Sequence, residues 1–373
     1  MDIKESRKSI KTTYLIYFIS MLLFVLVRIL VAENILRFTN NAIIESVIFS
    51  TITQILLMLL LPLTLYCLFM KSKPKAVFNL CNFKKPSYDV IIISVLFGFG
   101  AFIFNMLISS FFNGILGFLG YRGSASYVPI DYGLINFLFD ILLVAILPAI
   151  CEEFMHRGIL LQGVKSMGYK KAILFSSLLF GLIHLNVEQF FYAAILGGLL
   201  AIITVATKNI WPAIIIHFVN NGIIVYLRGA KVFDWFGGNY IEVLMGYFEG
   251  FNLFLFISLM IVIFLAVISF LIFLVYLLFK RTVVKQVETQ ILKSHNQKVG
   301  ISFNNTKFDS EIKKIIDKST INLDYNNMRS ILDIVLPKEK EIYKPVLSDK
   351  IFLYVSIFLG GLTTLFTFIW GLL

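Results

Sequence analysis

Long apolar stretches separated by short polar connections dominate the pattern of this chain. Most reach roughly 20 residues, the length of α-helix that crosses a bilayer core. Their continuous apolar character favours helices over the short alternating strands of a membrane barrel. The pattern predicts nine spans: Tyr14–Val31, Ile43–Met70, Tyr88–Leu119, Leu134–Gln162, Ala172–His184, Phe190–Ala206, Trp211–Leu227, Phe251–Phe279 and Ile351–Leu372.

Composition agrees with this pattern. The 373 residues are 58% hydrophobic and 15% charged, whereas soluble domains have about 45–50% apolar and about 25% charged residues. We therefore predict an all-α, polytopic transmembrane helix bundle. Cys67, Cys81 and Cys151 are too few and too scattered for a disulfide framework or a cysteine zinc site.

The positive charges are distributed by topology. Lys and Arg favour the N-terminus and every even-numbered connection between the predicted spans. By the positive-inside rule the N-terminus is cytoplasmic in a multi-pass protein of the cell membrane. This distribution accounts for the net charge of +11, so we predict no nucleic-acid partner. The heavy use of Ile, Lys, Asn and Phe is typical of an AT-rich bacterium.

Three regions follow from the change in polarity along the chain. Residues 1–279 form the membrane core, residues 280–350 form a basic cytoplasmic segment, and residues 351–373 form a C-terminal transmembrane helix. Residues 309–336 have apolar positions at mixed helical spacing and could form one or two amphipathic helices. The basic segment is predicted to lie near anionic lipid, with a protein partner as the alternative.

Ionisable residues inside apolar spans point to a candidate site, because their burial is costly and they usually face a bundle interior or a cavity. The stretch "ILPAICEEFMHRGILL" brings four of them to the fourth span. Glu153 and Arg157 are four residues apart and can pair on one helical face, which predicts a structural ion pair. Glu152 is rotated by about 100° from Glu153 and cannot share that arginine equally. His156 follows Glu152 by four residues and could hydrogen-bond to it.

Two later spans carry further polar groups. His184 ends "FGLIH", four residues after Phe180, and His217 and Asn221 project together from "HFVNN". At a rise of about 1.5 Å per residue, Glu152 lies roughly 27 Å from the outer end of its span, and His184 and His217 lie roughly 18 and 9 Å from the cytoplasmic ends of theirs. We therefore expect these residues to line one cavity in the cytoplasmic half, with helix tilt closing the remaining gap.

Such a constellation has a chemical use. A carboxylate beside an imidazole can activate water as a general base, and a second imidazole with a carboxamide can donate to a developing oxyanion. Together they would hydrolyse a peptide without a nucleophilic serine or cysteine. Alternatively, Glu152, His184 and His217 could ligate zinc with a water in the open position, although the chain has no H-E-x-x-H motif.

The three motifs resemble those of a known family. "EEFMHR" fits E-E-x-x-x-R, "FGLIH" fits F-x-x-x-H, and "HFVNN" fits H-x-x-x-N. In this order and spacing the chain resembles the CAAX proteases and bacteriocin-processing enzymes, also called the type II CAAX prenyl endopeptidase-like or Abi family. The resemblance covers roughly Leu134–Leu227. The preceding helices fit the family's eight-helix core, while residues 280–373 fall outside it.

The resemblance implies roles for individual residues. Glu152 would be the general base, acting with His184 on the attacking water, and His217 and Asn221 would stabilise the oxyanion. Glu153, Arg157 and Phe180 would support the site. Metal-dependent and metal-free mechanisms both exist as accounts of the family. We favour the metal-free one because His217 and Asn221 are a better donor pair than ligand pair.

Two other classes of function stay open at the level of sequence. Some family members resemble membrane scaffolds or bacteriocin-immunity factors, and the additional residues 280–373 fit such a binding role. A transporter would also place polar groups at mid-membrane, but the chain has neither similar halves nor a pair of Gly- or Pro-broken helices. The leading hypothesis is an intramembrane endopeptidase that acts on a membrane peptide or protein.

Overall fold

The computed structural model describes residues 3–123, 132–299 and 343–372, and these ranges form helices joined by turns. Their eleven helices are α1 (Ile3–Ala32), α2 (Ile43–Met70), α3 (Pro74–Leu80), α4 (Tyr88–Phe118), α5 (Leu134–Met167), α6 (Tyr169–Leu182), α7 (Val187–Thr207), α8 (Trp211–Phe233), α9 (Tyr240–Phe248), α10 (Leu253–Val299) and α11 (Leu347–Leu372).

The predicted all-α polytopic bundle is confirmed. Within the described ranges, eight helices are long and apolar enough to cross a membrane: α1, α2, α4, α5, α7, α8, α10 and α11. The fifth predicted span, Ala172–His184, corresponds to α6, which is helical but has only 14 residues. A helix of that length rises about 21 Å and falls short of a bilayer core. It packs against α7, to which a tight turn connects it.

Helix α1 begins eleven residues before the span predicted from hydropathy, which started at Tyr14. Its first turns are polar in sequence, yet Ser6, Ser9 and Thr13 are buried against the bundle. Ser9 Oγ donates to the carbonyl of Gly163 on α5 at 2.9 Å. Small hydroxyl side chains let two helices approach closely in a membrane, so this part of α1 packs against protein although its hydropathy is low.

Helix α5 runs through the centre of the bundle and is not a regular α-helix. It has π-helical hydrogen bonding over Ile141–Ile146 and Phe154–Leu160, with Pro148 between them. Proline lacks an N–H and interrupts the i→i−4 hydrogen bonds of an α-helix. Short π-helical segments inside α-helices occur often at functional sites. The second π-helical segment directly follows Glu152 and Glu153, so it sets the direction in which later side chains of α5 project.

Two hydrophobic clusters flank this central helix. One is built mainly from α1, α2, α5, α6 and α11, and the other from α4, α7, α8 and α10. Polar side chains of α5 meet α2, α6, α7 and α8 between them. The fold therefore encloses the ionisable residues in protein.

The C-terminal helix α11 is an integral part of the bundle. Asp349 at its start is buried and accepts from Arg7 Nε at 2.9 Å, with Lys11 Nζ at 3.2 Å. Tyr343 also donates to this carboxylate. These ion pairs therefore connect the beginning of α11 to the beginning of α1.

The helix that contains the eighth predicted span is longer than its hydropathy predicted. Helix α10 continues beyond Phe279 to Val299 without a break. Lys, Gln and Glu in this extension are good helix formers, so the helix continues where the apolar pattern ends. The predicted amphipathic helices at residues 309–336 lie outside the described residues, as does most of the basic segment.

Candidate active site

A buried ion pair lies at the centre of the site. Arg157 Nη1 donates to Glu153 Oε1 at 3.0 Å, and both side chains are fully buried. This is the pair predicted from their i,i+4 spacing. Arg157 Nη2 also donates to the carbonyl of Gly197 on α7 at 2.9 Å. The arginine therefore connects α5 to α7 as well as compensating the charge of Glu153.

His217 joins the same carboxylate from helix α8. Its Nδ1 lies 2.9 Å from Glu153 Oε1, so this oxygen accepts from both Arg157 and His217. One carboxylate thereby fixes the orientation of two basic side chains from different helices. Breaking such a buried network by removing one member is far costlier than breaking a surface pair.

Phe180 on α6 lies where the histidines converge. Its ring centroid is 5.0 Å from that of His156, 5.3 Å from that of His184 and 5.8 Å from that of His217. The Arg157 guanidinium carbon lies 4.3 Å from the same ring centroid, within the range of a cation–π contact.

Gly197 allows this arrangement. A Cβ at that position would lie 2.9 Å from Phe180 Cδ1, so glycine is needed for α7 to approach the ring. The predicted supporting residues Glu153, Arg157 and Phe180 thus form one packed unit.

Glu152 faces a different environment from its neighbour. It lines a cavity of about 210 Å³ together with His184. Its Oε1 accepts from Gln54 Nε2 of α2 at 2.9 Å. The polar lining of this site cavity comprises Arg28, Ser50, Thr53, Gln54, Glu152, His184, Asn186 and Gln189. The structure therefore brings Glu152 and His184 together, as expected from their depths.

The expected contact between His156 and Glu152 takes another form. His156 Nδ1 lies 2.8 Å from the backbone carbonyl of Glu152, one helical turn earlier, and the Glu152 carboxylate bonds to Gln54. The reason is geometric: an imidazole on a helix readily reaches the carbonyl four residues back. His156 is fully buried, and it packs between the rings of Tyr17 and Phe180.

The hydrogen bonds of His184 assign its neutral tautomer. Its Nδ1 lies 2.8 Å from the carbonyl of Phe180. A carbonyl can only accept, so Nδ1 carries the proton and Nε2 of the neutral ring has the lone pair. His184 therefore offers its Nε2 for taking up a proton in the site cavity.

Neither His217 nor Asn221 is among the lining residues of the site cavity. Asn221 Nδ2 donates to the carbonyl of Val144 at 3.0 Å, and its Oδ1 accepts from Asn220. In an α-helix the Val144 carbonyl would accept from residue 148, which is a proline without an N–H. Asn221 therefore donates to a carbonyl that Pro148, which has no N–H, could not serve in a regular α-helix. In this conformation the predicted cavity shared by Glu152, His184 and His217 contains only the first two.

The zinc alternative can be tested against the donor set. Among the described residues, no three His, Cys, Asp or Glu side chains come together in a way that could hold a metal ion. Glu152 and His184 share a cavity, but His217 directs Nδ1 to Glu153. The predicted set of Glu152, His184 and His217 therefore does not fit a three-ligand zinc site in this conformation.

Some residues at the site were not singled out from sequence. Arg28 and Gln54 both lie in predicted spans and line the site cavity. Asn105 on α4 donates from Nδ2 to Asn220 Oδ1 at 2.7 Å. A signal for each was present, since every polar side chain inside an apolar span is a candidate for a bundle interior.

Comparison with known families agrees with the motifs. A family model described as Rce1-like, type II CAAX prenyl endopeptidase Rce1-like, matches residues 134–223. This confirms the resemblance to the CAAX protease family over the segment that carries all three motifs, from Glu152 to Asn221. The family is one of proteases, and the eight long apolar helices within the described residues make the chain a multi-pass membrane protein. No match was found among curated proteins or among solved structures.

Proposed function

We propose that this protein is an intramembrane endopeptidase that hydrolyses a peptide bond of a membrane-associated peptide or protein. One observation carries the proposal: Glu152 on α5 and His184 in the turn after α6 line the same cavity, while the adjacent Glu153 forms a buried ion pair with Arg157. A polar cavity with a hydrogen-bonded carboxylate and an oriented imidazole is costly among apolar spans and therefore marks a candidate functional site.

The proposed reaction needs no covalent intermediate. Glu152, with His184, takes a proton from water, and the water oxygen attacks the carbonyl carbon of the scissile bond. The carbon–nitrogen bond of the tetrahedral intermediate then breaks. Glu152 returns the proton to the departing amine nitrogen. The same carboxylate thus acts first as base and then as acid.

The oxyanion needs donors from the other side of the site. His217 directs Nδ1 to Glu153, so Nε2 is the ring nitrogen left to face the oxyanion. Asn221 uses one amide hydrogen on Val144 and retains a second. A small helix displacement on substrate binding would have to bring these donors to the cavity.

The test uses the full chain purified in detergent and a library of quenched fluorescent peptides. Wild type is expected to cleave a subset, and Glu152→Gln is expected to lose at least about 100-fold of that activity. Glu45→Gln, a change of carboxylate on α2 outside the cavity, is the matched control and should retain it. Cleavage by Glu152→Gln at the wild-type rate would rule out the mechanism.

A further inference from the structure

A second cavity lies at the beginnings of α4 and α8. Its volume is about 560 Å³, and it is lined by Lys85, Pro86, Ser87, Tyr88, Ile91, Trp211 and Ile215. None of these residues lines the site cavity. We call this second space the interfacial cavity.

The walls of the interfacial cavity change in polarity along the helix axes. Lys85 and Ser87 lie just before α4 begins, and Ile91 and Ile215 lie about one turn inside α4 and α8. One end therefore offers the Lys85 cation, and the other offers hydrocarbon. A molecule that matches this gradient has an anionic head and an apolar tail.

The position in the membrane is consistent with such a ligand. Tyr88 and Trp211 stand at the first residues of two candidate spans, where aromatic side chains mark the membrane–water interface. The connections that hold Lys84, Lys85 and Lys208 are predicted to be cytoplasmic from their positive charge. The cytoplasmic leaflet is the one rich in anionic lipid, which attracts basic residues near the surface.

The cavity is held in shape by contacts between its two connecting loops. The buried Asn209 donates from Nδ2 to the carbonyl of Lys84 at 2.8 Å and accepts from Trp211 N at 3.2 Å. The ring of Phe83 packs edge-on against Trp211, with centroids 6.1 Å apart. The orientation of Trp211 is thus set by the protein before any ligand binds, which lowers the entropic cost of binding.

The charge near the polar end is available for a ligand. Within the described residues Lys85 has no ion pair, and its side chain is exposed. The nearby Asp89 is occupied by Arg281, whose Nε lies 3.1 Å from Asp89 Oδ2. That carboxylate is therefore compensated and does not compete with an incoming phosphate for Lys85.

We infer that the interfacial cavity binds an anionic glycerophospholipid, with its phosphate near Lys85 and an acyl chain along Ile91 and Ile215. This site is independent of the proposed peptidase activity. Its lining residues also differ from those of the basic segment at residues 280–350, for which contact with anionic lipid was predicted from charge alone.

The experiment uses Trp211 as the reporter. The chain has three tryptophans, and Trp235→Phe with Trp370→Phe leaves only the one in the cavity. The full chain is reconstituted in phosphatidylcholine vesicles, and brominated phosphatidylglycerol or brominated phosphatidylcholine is added as quencher. Trp211 should be quenched at about a five-fold lower mole fraction of the anionic lipid, the effect of roughly one basic contact. Equal quenching by both lipids would overturn the inference.

Matched variants locate the effect. Lys85→Gln should abolish the preference for the anionic lipid, whereas Lys75→Gln, an exposed lysine on α3 outside the cavity, should leave it unchanged. Ile91→Phe should reduce quenching by filling the cavity, and Ile92→Phe on the exposed face of the same helix should not. Loss of the preference in Lys75→Gln as well would indicate only a diffuse surface potential and contradict a defined site.

A free anion is distinguished from a lipid in the same assay. Inorganic phosphate and soluble glycerol phosphate are added in increasing concentration to the vesicles with brominated phosphatidylglycerol. Neither should relieve the quenching at millimolar concentration if the acyl chain contributes to binding. Relief by inorganic phosphate alone would show that the polar end binds phosphate without a tail, which would refute the lipid assignment.

Discussion

Glu152 and Glu153 are consecutive residues whose carboxylates belong to separate environments. Glu152 accepts from Gln54 and lines the site cavity, whereas Glu153 is fully buried and accepts from Arg157 and His217. The separation follows from helix geometry, because consecutive side chains of a helix diverge by about 100°. One acidic pair thus supplies both a buried, ion-paired carboxylate and a cavity-lining carboxylate at nearly the same depth.

Arg157→Ala is expected to lower thermal stability and activity together. It would leave Glu153 buried without its strongest partner and remove the donor to Gly197, a loss of about 3–5 kcal/mol. The melting temperatures of Arg157→Ala and wild type, determined in the same detergent, measure this loss of stability. Arg228→Ala is the control, because the Arg228–Asp140 pair is partly exposed and pairs of this kind contribute only about 0–1 kcal/mol. Equal melting temperatures for Arg157→Ala and wild type would contradict a structural role.

Gln54→Leu should reduce activity with little effect on stability. The substitution removes the hydrogen bond that orients the Glu152 carboxylate and keeps the side-chain volume. A hydrogen bond to a charged group contributes about 1.5–3 kcal/mol, which corresponds to roughly 10- to 100-fold in kcat. The measurement is kcat for a peptide cleaved by the wild type. Leu56→Ala, on the exposed face of the same helix, should leave kcat unchanged, and an unaffected kcat in Gln54→Leu would remove Gln54 from the site.

Asn221 and Pro148 are expected to be coupled. Asn221→Ala leaves the Val144 carbonyl without its side-chain donor and should cost about 1–3 kcal/mol. Pro148→Ala restores a backbone N–H four residues after Val144, so the loss caused by Asn221→Ala should be smaller in the Pro148→Ala background. A double-mutant cycle on unfolding free energies measures this coupling. Strict additivity would mean that the two residues act independently, and Asn221 would then be left with the proposed oxyanion role alone.

The sequence predicted those features of the fold and site that depend on local geometry. Apolar length located the membrane helices, and i,i+4 spacing located the Glu153–Arg157 pair. It could not predict that Gln54 meets Glu152 across 98 residues or that His217 meets Glu153 across 64. Those contacts depend on the rotation of each helix about its axis and on which helices are neighbours, and neither quantity is encoded in a single segment.

The start of α1 shows that hydropathy alone also fails to predict where a buried helix begins. Its polar residues Ser6, Ser9 and Thr13 are buried where α1 packs against other helices, because hydroxyl side chains are small enough for close packing. Hydropathy measures compatibility with lipid, and these residues face protein. The short helix α6 is the converse case: it is apolar in sequence but too short to span, and its place is fixed by packing on α7.

The last prediction concerns residues 343–372, which lie beyond the family match yet contact the turn that carries His184. Gly360 on α11 approaches Met21 and Leu182, and a Cβ there would lie 2.4 Å from Met21 Cε and 2.8 Å from Leu182 Cβ. Further along α11, the Val187 N–H donates to Thr367 Oγ1 at 3.2 Å. The position of α11 is therefore coupled to both sides of the turn between α6 and α7.

Gly360→Ala should consequently destabilise the protein by about 1–3 kcal/mol through overpacking, and it should reduce activity by displacing His184. The neighbouring Gly361 is the matched control, because a Cβ there meets nothing within 4 Å. Gly361→Ala should be neutral or slightly stabilising, since alanine favours helix by up to about 1 kcal/mol over glycine. Thermal unfolding and peptide cleavage of both variants decide the matter. If Gly360→Ala unfolds and cleaves like Gly361→Ala, then α11 packs loosely and does not position the site.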